Sequence, residues 1–152
     1  MSYSLREYND SDSYGIWQLF YDTVHHINAK DYSLEQLNAW ASPDTDHIEW
    51  SKTRLGQGTI VACMNEKIVS FGKITPSGLF DLLYVHKDFI NKGIGTLICD
   101  ELEKRCQVNE ITTYTSITAK SFFEKRGYKM IRENEVIKNG VTLKNYVMIK
   151  YI

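Results

Sequence analysis

The chain has 152 residues, 43 % of them hydrophobic and 24 % charged, with a formal net charge of −1 and a pI near 6.4. That length is one ordinary domain, long enough to bury a core without disulfides or a structural metal, and the composition excludes a disordered chain. Balanced charge gives no sign of the basic excess of a nucleic-acid binder, and no apolar run approaches the roughly 18 residues needed to cross a bilayer.

Tyr3 to Tyr8 alternates enough for a short strand, and Met1 to Asp10 has no basic start followed by an apolar stretch, so no secretory signal is visible. Ser11, Asp12 and Ser13 offer helix caps, after which Ile16, Leu19, Phe20, Val24 and Ile27 fall at helical spacing. Ser33 can cap a second short helix with Leu34, Leu37 and Trp40 as its apolar positions. Asp46 to Leu55 reads as another helical turn or two, ending at Gly56 and Gly58. Thr59 to Met64 and Lys67 to Ile74 read as a strand pair around the turn Asn65-Glu66, and Leu79 to Val85 as a third central strand. A six-residue polar connection leads to a helix from Gly93 to about Gln107, with Ile94, Leu97, Ile98, Leu102 and Cys106 as its stripe. Ile111 to Thr115 is a strand, and Ser116 or Thr118 caps a helix that runs to Arg126 and stops at Gly127. Met130 to Ile137 and Leu143 to Tyr151 are the arms of a hairpin whose Asn139-Gly140 turn is the strongest short hairpin signal in the chain.

This order predicts an α+β fold with a mixed, mostly antiparallel central sheet and flanking helices, rather than the strict alternation of a doubly wound fold. No linker, repeat or low-complexity segment interrupts residues 1–152, which read as one continuous domain.

The most informative segment runs from Leu82 to Thr96, where a strand passes through a short loop into a helix that begins with Gly93 and Gly95. A helix start leaves backbone N–H groups unpaired and carries partial positive charge, and glycines let a phosphate approach closely. Such a start suits a pyrophosphate. A Walker loop needs Gly-Lys-Ser/Thr, but Gly95 is followed by Thr96 and Leu97; a dinucleotide fingerprint needs a third glycine where Ile98 stands.

The segment instead resembles the pyrophosphate loop of GNAT N-acetyltransferases, Gln/Arg-x-x-Gly-x-Gly/Ala after a Leu-x-Val strand end, with Leu83, Val85, Gly93 and Gly95 in register. Ala119 to Tyr128 is similar to that family's Ala-x-x-Phe-Tyr-x-x-x-Gly-Phe segment. The plainer alternative is that Gly93 and Gly95 merely start a packed helix. The resemblance spans nearly the whole chain and implies the acyl-CoA N-acyltransferase fold, with acetyl-CoA as co-substrate and no metal. By resemblance, the backbone of Leu83, Tyr84 and Val85 pairs with the pantetheine arm and polarises the thioester. The amides of Ile90, Asn91, Lys92, Gly93, Ile94, Gly95 and Thr96 hold the pyrophosphate. Lys87 or Lys92 is a candidate for added charge there, against the plainer reading of solvated side chains.

Three positions depart from the family pattern. Ile90 replaces Gln or Arg, which removes a side-chain contact to the cofactor. Ser116 stands where Asn often bonds the cofactor arm. Phe123 replaces a tyrosine that protonates the leaving thiolate, and phenylalanine has no proton to donate; water, Tyr84 or Tyr114 are the substitutes. Family members often carry the base four or six residues before the position of Val85, which here means Asp81 or the inert Leu79. The two-residue period of a strand puts Asp81 on one face with Leu83 and Val85, barring a bulge. Asp81 is therefore the candidate base, with a hydrogen-bonded strand-edge carboxylate as the plainer alternative.

The implied reaction is direct acetyl transfer to a primary amine, of a small molecule or a peptide, with strand N–H groups stabilising the oxyanion. A non-catalytic acyl-CoA-binding or sensing module, and a domain for another phosphate ligand, are the alternatives. His25 and His26 read as cap or surface residues; one of them, or Tyr32, Trp40 and Trp50, could also line an acceptor pocket. Cys63, Cys99 and Cys106 have no metal-site or disulfide spacing and fit a reducing cytoplasm, with Cys99 and Cys106 as small buried hydrophobes. Monomer and homodimer are both open, the last strand, Leu143 to Ile152, being a conceivable exposed edge for a second copy.

Overall fold

Strands β1 (Ser4–Glu7), β2 (Thr59–Met64), β3 (Lys67–Ile74) and β4 (Leu79–Val85) pair antiparallel in succession, as their β-branched and aromatic residues and short turns require. The computed structural model describes residues 2–152. β4 meets β5 (Glu110–Ser116) in parallel, and β7 (Val141–Tyr151) lies between β5 and β6 (Lys129–Lys138), so the seven-stranded order is β1-β2-β3-β4-β5-β7-β6. The mixed, mostly antiparallel α+β sheet is as expected. The expected free edge is not: β7 is paired on both sides, and β6 forms the edge. A long last strand read alone does not reveal that the chain returns inside its own hairpin partner.

Two apolar clusters flank the sheet. One packs Ile16, Leu19, Phe20 and Val24 of α1 (Ser13–His26) with Leu37 of α2 (Leu34–Trp40) against Val61, Phe71 and Leu82 of the sheet; Trp50 of α3 (His47–Arg54) packs against it. The other packs Ile94, Ile98, Cys99 and Leu102 of α4 (Ile94–Arg105) and Phe123 of α5 (Lys120–Lys125) on Ile60, Val69 and Phe80. At Gly72 a Cβ would come within 3.0 Å of Leu102 and 3.1 Å of Ile98, so α4 lies close against β3 only because no side chain intervenes.

Local signals mostly act as expected. Ser33 and Gln36 form a capping box on α2, and Asp46 accepts from the N–H groups of Ile48 and Glu49 at the start of α3. Asn139 and Gly140 both have positive φ, the geometry of a type I′ hairpin turn. Ahead of α1, Asn9 rather than Ser11, Asp12 or Ser13 supplies the cap, on a 3-10 turn at Asp10–Asp12. Asp12 completes a capping box there by accepting from Asn9 N–H at 3.0 Å, and is also gripped by both guanidinium nitrogens of Arg6 at 2.8 Å. Leu34, read as an apolar position of this helix, is 68 % exposed because it is the first residue of α2 and faces solvent.

Candidate active site

β4 and β5 stay together only at Leu79↔Thr112 and Phe80↔Thr113, tied by the Thr113 hydroxyl donating to Phe80 O at 3.1 Å. Beyond Phe80 the two strands part and a cleft of about 660 Å3 opens between them. His86 N–H donates to Val69 O of β3 at 2.8 Å. Main-chain direction alternates along an antiparallel strand, so Tyr84 shares that direction while Leu83 and Val85 present their N–H and C=O groups to the cleft. The Val85 carbonyl is held by Thr23 Oγ1 of α1 at 2.8 Å.

The far wall of the cleft is the loop from β4 into α4. Asn91 (φ +61) and Gly93 (φ +83) are left-handed on either side of Lys92, so the chain curls before the helix begins. Such turns gather successive N–H groups into an anion-accepting concavity, and here it opens onto the N-terminus of a 12-residue helix. A Cβ on Gly95 would lie 3.4 Å from the Phe122 ring and 3.7 Å from Val85 Cγ2, which makes Gly95 the narrow point between α4, α5 and β4. His86 Nδ1 accepts from Asp88 N–H at 3.1 Å and shapes the loop; burial, then Lys67, pulls its pKa below the usual imidazole value.

Leu83, Tyr84, Val85, Ile90, Asn91, Gly93, Ile94, Gly95, Thr96, Ser116, Phe123 and Asp81 all line this cleft. Lys92 does not, and its ammonium lies 5.9 Å from the Phe89 ring. Lys87 pairs with Asp88 at 3.3 Å. Phe123 is 4 % exposed and packed edge-on to Phe80 and Tyr128, so it is chiefly a core residue at the base of the cleft. Ser116 Oγ accepts from Ala119 N–H at 3.1 Å, and Asn28 of the 3-10 turn Asn28–Lys30 reaches it at 3.5 Å.

A second cavity of about 380 Å3 adjoins this cleft. Trp40, Phe80, Asp81, Tyr84, Tyr114 and Ser116 line both cavities and form the waist between them. Asp81 reaches this waist through a bulge. Ile74 pairs with Phe80 and Lys73 with Leu82, which leaves Asp81 as the extra residue of β4. The expected shared face with Leu83 and Val85 is therefore overturned: Leu83 and Val85 pack toward α4, whereas Asp81 turns toward α3 and pairs with Arg54 at 3.7 Å. Tyr84 packs edge-on to Phe20 at 4.8 Å and stacks on Phe71, and burial pushes its phenol up to about 12.

Several residues of the site had no motif to announce them. Thr23 lies within the apolar stripe of α1 and Asn28 just after it, where a polar residue on a core face is the available signal. Arg54 and Lys138 come from remote segments and meet only in the fold. Tyr32 lines the second cavity, its hydroxyl donating to Lys144 O at 2.6 Å and accepting from Ile117 N–H at 3.0 Å. Trp50 belongs to the core beside Trp17 and Phe20. His25 donates to the Ala41 carbonyl at 2.8 Å, and His26 to Asp22 O at 2.9 Å. Cys99 is fully buried and burial raises its pKa to about 12. Among the described residues no cluster of three His, Cys, Asp or Glu side chains could hold a metal, and no helix is long and apolar enough to cross a membrane.

Comparisons with known proteins agree with this geometry. The acetyltransferase (GNAT) domain family matches residues 28–150. YafP of Escherichia coli K12, an N-acetyltransferase, is 28 % identical over 145 residues, covering 95 % of this chain and 93 % of its own. A GCN5-related N-acetyltransferase structure from Rhodopseudomonas palustris is 32 % identical, with a TM-score of 0.92 over 100 % of this chain and 97 % of that one. At 20 % identity and a TM-score of 0.74, the PaiA N-acetyltransferase of Thermoplasma acidophilum, solved with coenzyme A, shares the fold over the full length of both chains. With its splayed strands, glycine-led helix and matching relatives, the chain belongs to the GNAT acetyltransferase family and is an acetyltransferase.

Proposed function

We propose that the larger cleft binds acetyl-CoA and that the protein transfers its acetyl group directly to a primary amine held in the smaller cavity. The observation that carries this reading is the parting of β4 from β5 after Phe80, because it turns Leu83 and Val85 main-chain groups toward a cleft that ends at a helix N-terminus. That is the shape of a pantetheine arm leading to a pyrophosphate. PaiA with coenzyme A, and YncA of Salmonella typhimurium with acetyl-CoA, share this fold and support the cofactor.

The acetyl thioester supplies the activated acyl group. The backbone of Leu83, Tyr84 and Val85 orients the arm, and N–H groups of β4 face the carbonyl oxygen where negative charge develops. Amides from Ile90 to Thr96 hold the phosphates, and Gly95 lets the start of α4 pack close to Phe122 and Val85. No side-chain contact from Ile90 is needed for this, and Lys92 adds charge from outside the cleft at most.

An ammonium must lose its proton before its nitrogen can attack. Asp81, at the waist and open to both cavities, takes that proton directly or through a water. Phe123 has no proton to give, so the departing thiolate is protonated by solvent or by a phenol at the waist; Tyr84 stays protonated at neutral pH, and Tyr114 is 51 % exposed. Steady-state release of free thiol with a panel of amines tests the scheme. Intersecting double-reciprocal lines support direct transfer in a ternary complex; parallel lines, the mark of an acetylated enzyme, refute it.

A further inference from the structure

The smaller cavity has an uneven charge. Arg54 enters it from the end of α3, Lys138 from the end of β6, and Lys144 stands at its rim with Glu135. Lys144 pairs with Glu133 at 3.0 Å, so its charge is answered. Arg54 and Lys138 differ from it. Among the described residues neither side chain has a hydrogen-bond acceptor; Arg54 is ion-paired with Asp81 at 3.7 Å, beyond hydrogen-bonding distance, and Lys138 has no ion pair. Both cations are half-buried, and the Lys138 ammonium is disfavoured by burial first and then by Arg54. The backbone beside Lys138 is anchored: the adjoining turn is pinned to α2 by Asn139 Nδ2 donating to Ala39 O at 2.8 Å. Phe20, Trp40, Tyr84 and Leu143 supply apolar lining in the same cavity.

Resting on the reading of this cavity as the acceptor half, we propose that the acceptor is a small amine that also carries an acid group, with Arg54 and Lys138 binding that acid group. Its apolar body lies on Phe20, Trp40 and Tyr84, and its amine points to Asp81 at the waist. The cavity, at about 380 Å3, suits a molecule of amino-acid size. Two cations without a hydrogen-bond acceptor, only one of them ion-paired, form charge-assisted hydrogen bonds with a carboxylate or phosphate, and the same two cations repel a polyamine. Discrimination therefore comes from attraction and repulsion together.

The test compares kcat/KM, by thiol release, for each of the common amino acids, its carboxamide and its decarboxylated amine, with phosphoethanolamine separating phosphate from carboxylate as the preferred acid. At least one acid-bearing amine is expected to exceed its decarboxylated partner by about tenfold or more, the scale of a charge-assisted hydrogen bond. Lys138→Gln and Arg54→Gln should each collapse that ratio through KM, and Lys138→Arg, which keeps the charge, should restore most of it. Turnover of neutral amines or polyamines alone, turnover of no acid-bearing member of the panel, or variants that slow both partners equally would overturn the inference. Calorimetric titration with acetyl-CoA separates the two levels. If acetyl-CoA does not bind, the functional reading itself fails; if it binds and decarboxylated amines are preferred, only the acid-group inference does.

Discussion

The carboxylate of Asp81 lies 3.7 Å from the guanidinium of Arg54 because β4 bulges at Asp81, between Phe80 paired to Ile74 and Leu82 paired to Lys73. Without that extra residue Asp81 would point at α4 with Leu83 and Val85, away from the cavity that Arg54 enters. A single inserted residue thus decides which half of the site the carboxylate serves.

Asp81→Asn keeps the size and most of the packing while removing the proton acceptor. We expect kcat to fall by about 10²- to 10⁴-fold, the usual range for a lost general base, with acetyl-CoA affinity little changed. A rate profile over roughly pH 6 to 9 is the check, and full turnover across that window would show Asp81 to be a structural carboxylate.

Gly95→Val places branched methyls where a Cβ already touches the Phe122 ring at 3.4 Å and Val85 at 3.7 Å. The added atoms must intrude on the cleft or push α4 aside. KM for acetyl-CoA should rise by about tenfold or more, on the scale of a few kcal/mol for overpacking. Initial-rate kinetics with varied acetyl-CoA measure it, and the circular-dichroism melting curve shows whether the helix still docks.

Glu103 binds Arg126 at 2.9 Å, Lys150 at 2.8 Å and the Tyr128 hydroxyl at 2.8 Å. Burial opposes its charge, but those three donors outweigh burial and hold its pKa below the ordinary 4.5. A depressed carboxylate pKa gives stability above the unfolded value and loses it as pH falls through the folded value. Glu103→Gln should therefore cost about 3 kcal/mol near neutrality, the scale for removing one partner of a buried network. The difference from wild type should shrink below about pH 4, where the carboxylate advantage is being lost. Urea unfolding at several pH values reads both effects.

Cys63 and Cys99 are buried, whereas Cys106 at the end of α4 is partly exposed. With its pKa raised to about 12 by burial, Cys99 holds almost no thiolate at neutral pH. A chromogenic disulfide reagent should titrate one thiol quickly in the native protein and the other two only on unfolding. Fast loss of Cys99 would mean that α4 opens readily from β3.

The fold was legible where local chemistry decides it. Ser33 and Gln36 announce their helix, Asn139-Gly140 its hairpin, and the run from Thr59 to Val85 its three strands with little ambiguity. Sheet order was not, because the placement of β7 between β5 and β6 is set by long-range pairing such as Thr113↔Met148. The glycine-led helix start carries a fixed spacing and could be read, and the cleft collects every residue taken from it except Lys92. The second cavity could not be read. Arg54, Lys138 and Asp81 are far apart in sequence and share no motif, and the bulge that turns Asp81 leaves no mark on an otherwise regular apolar strand.

Calorimetric titration of the protein with acetyl-CoA, alongside CoA and NAD, tests the central claim most directly. Saturable binding of acetyl-CoA and CoA at one site, with none of NAD, is the expected result. Absence of CoA binding would contradict it, and would reduce Gly93 and Gly95 to the start of a packed helix and the parted strands to a solvent-filled groove.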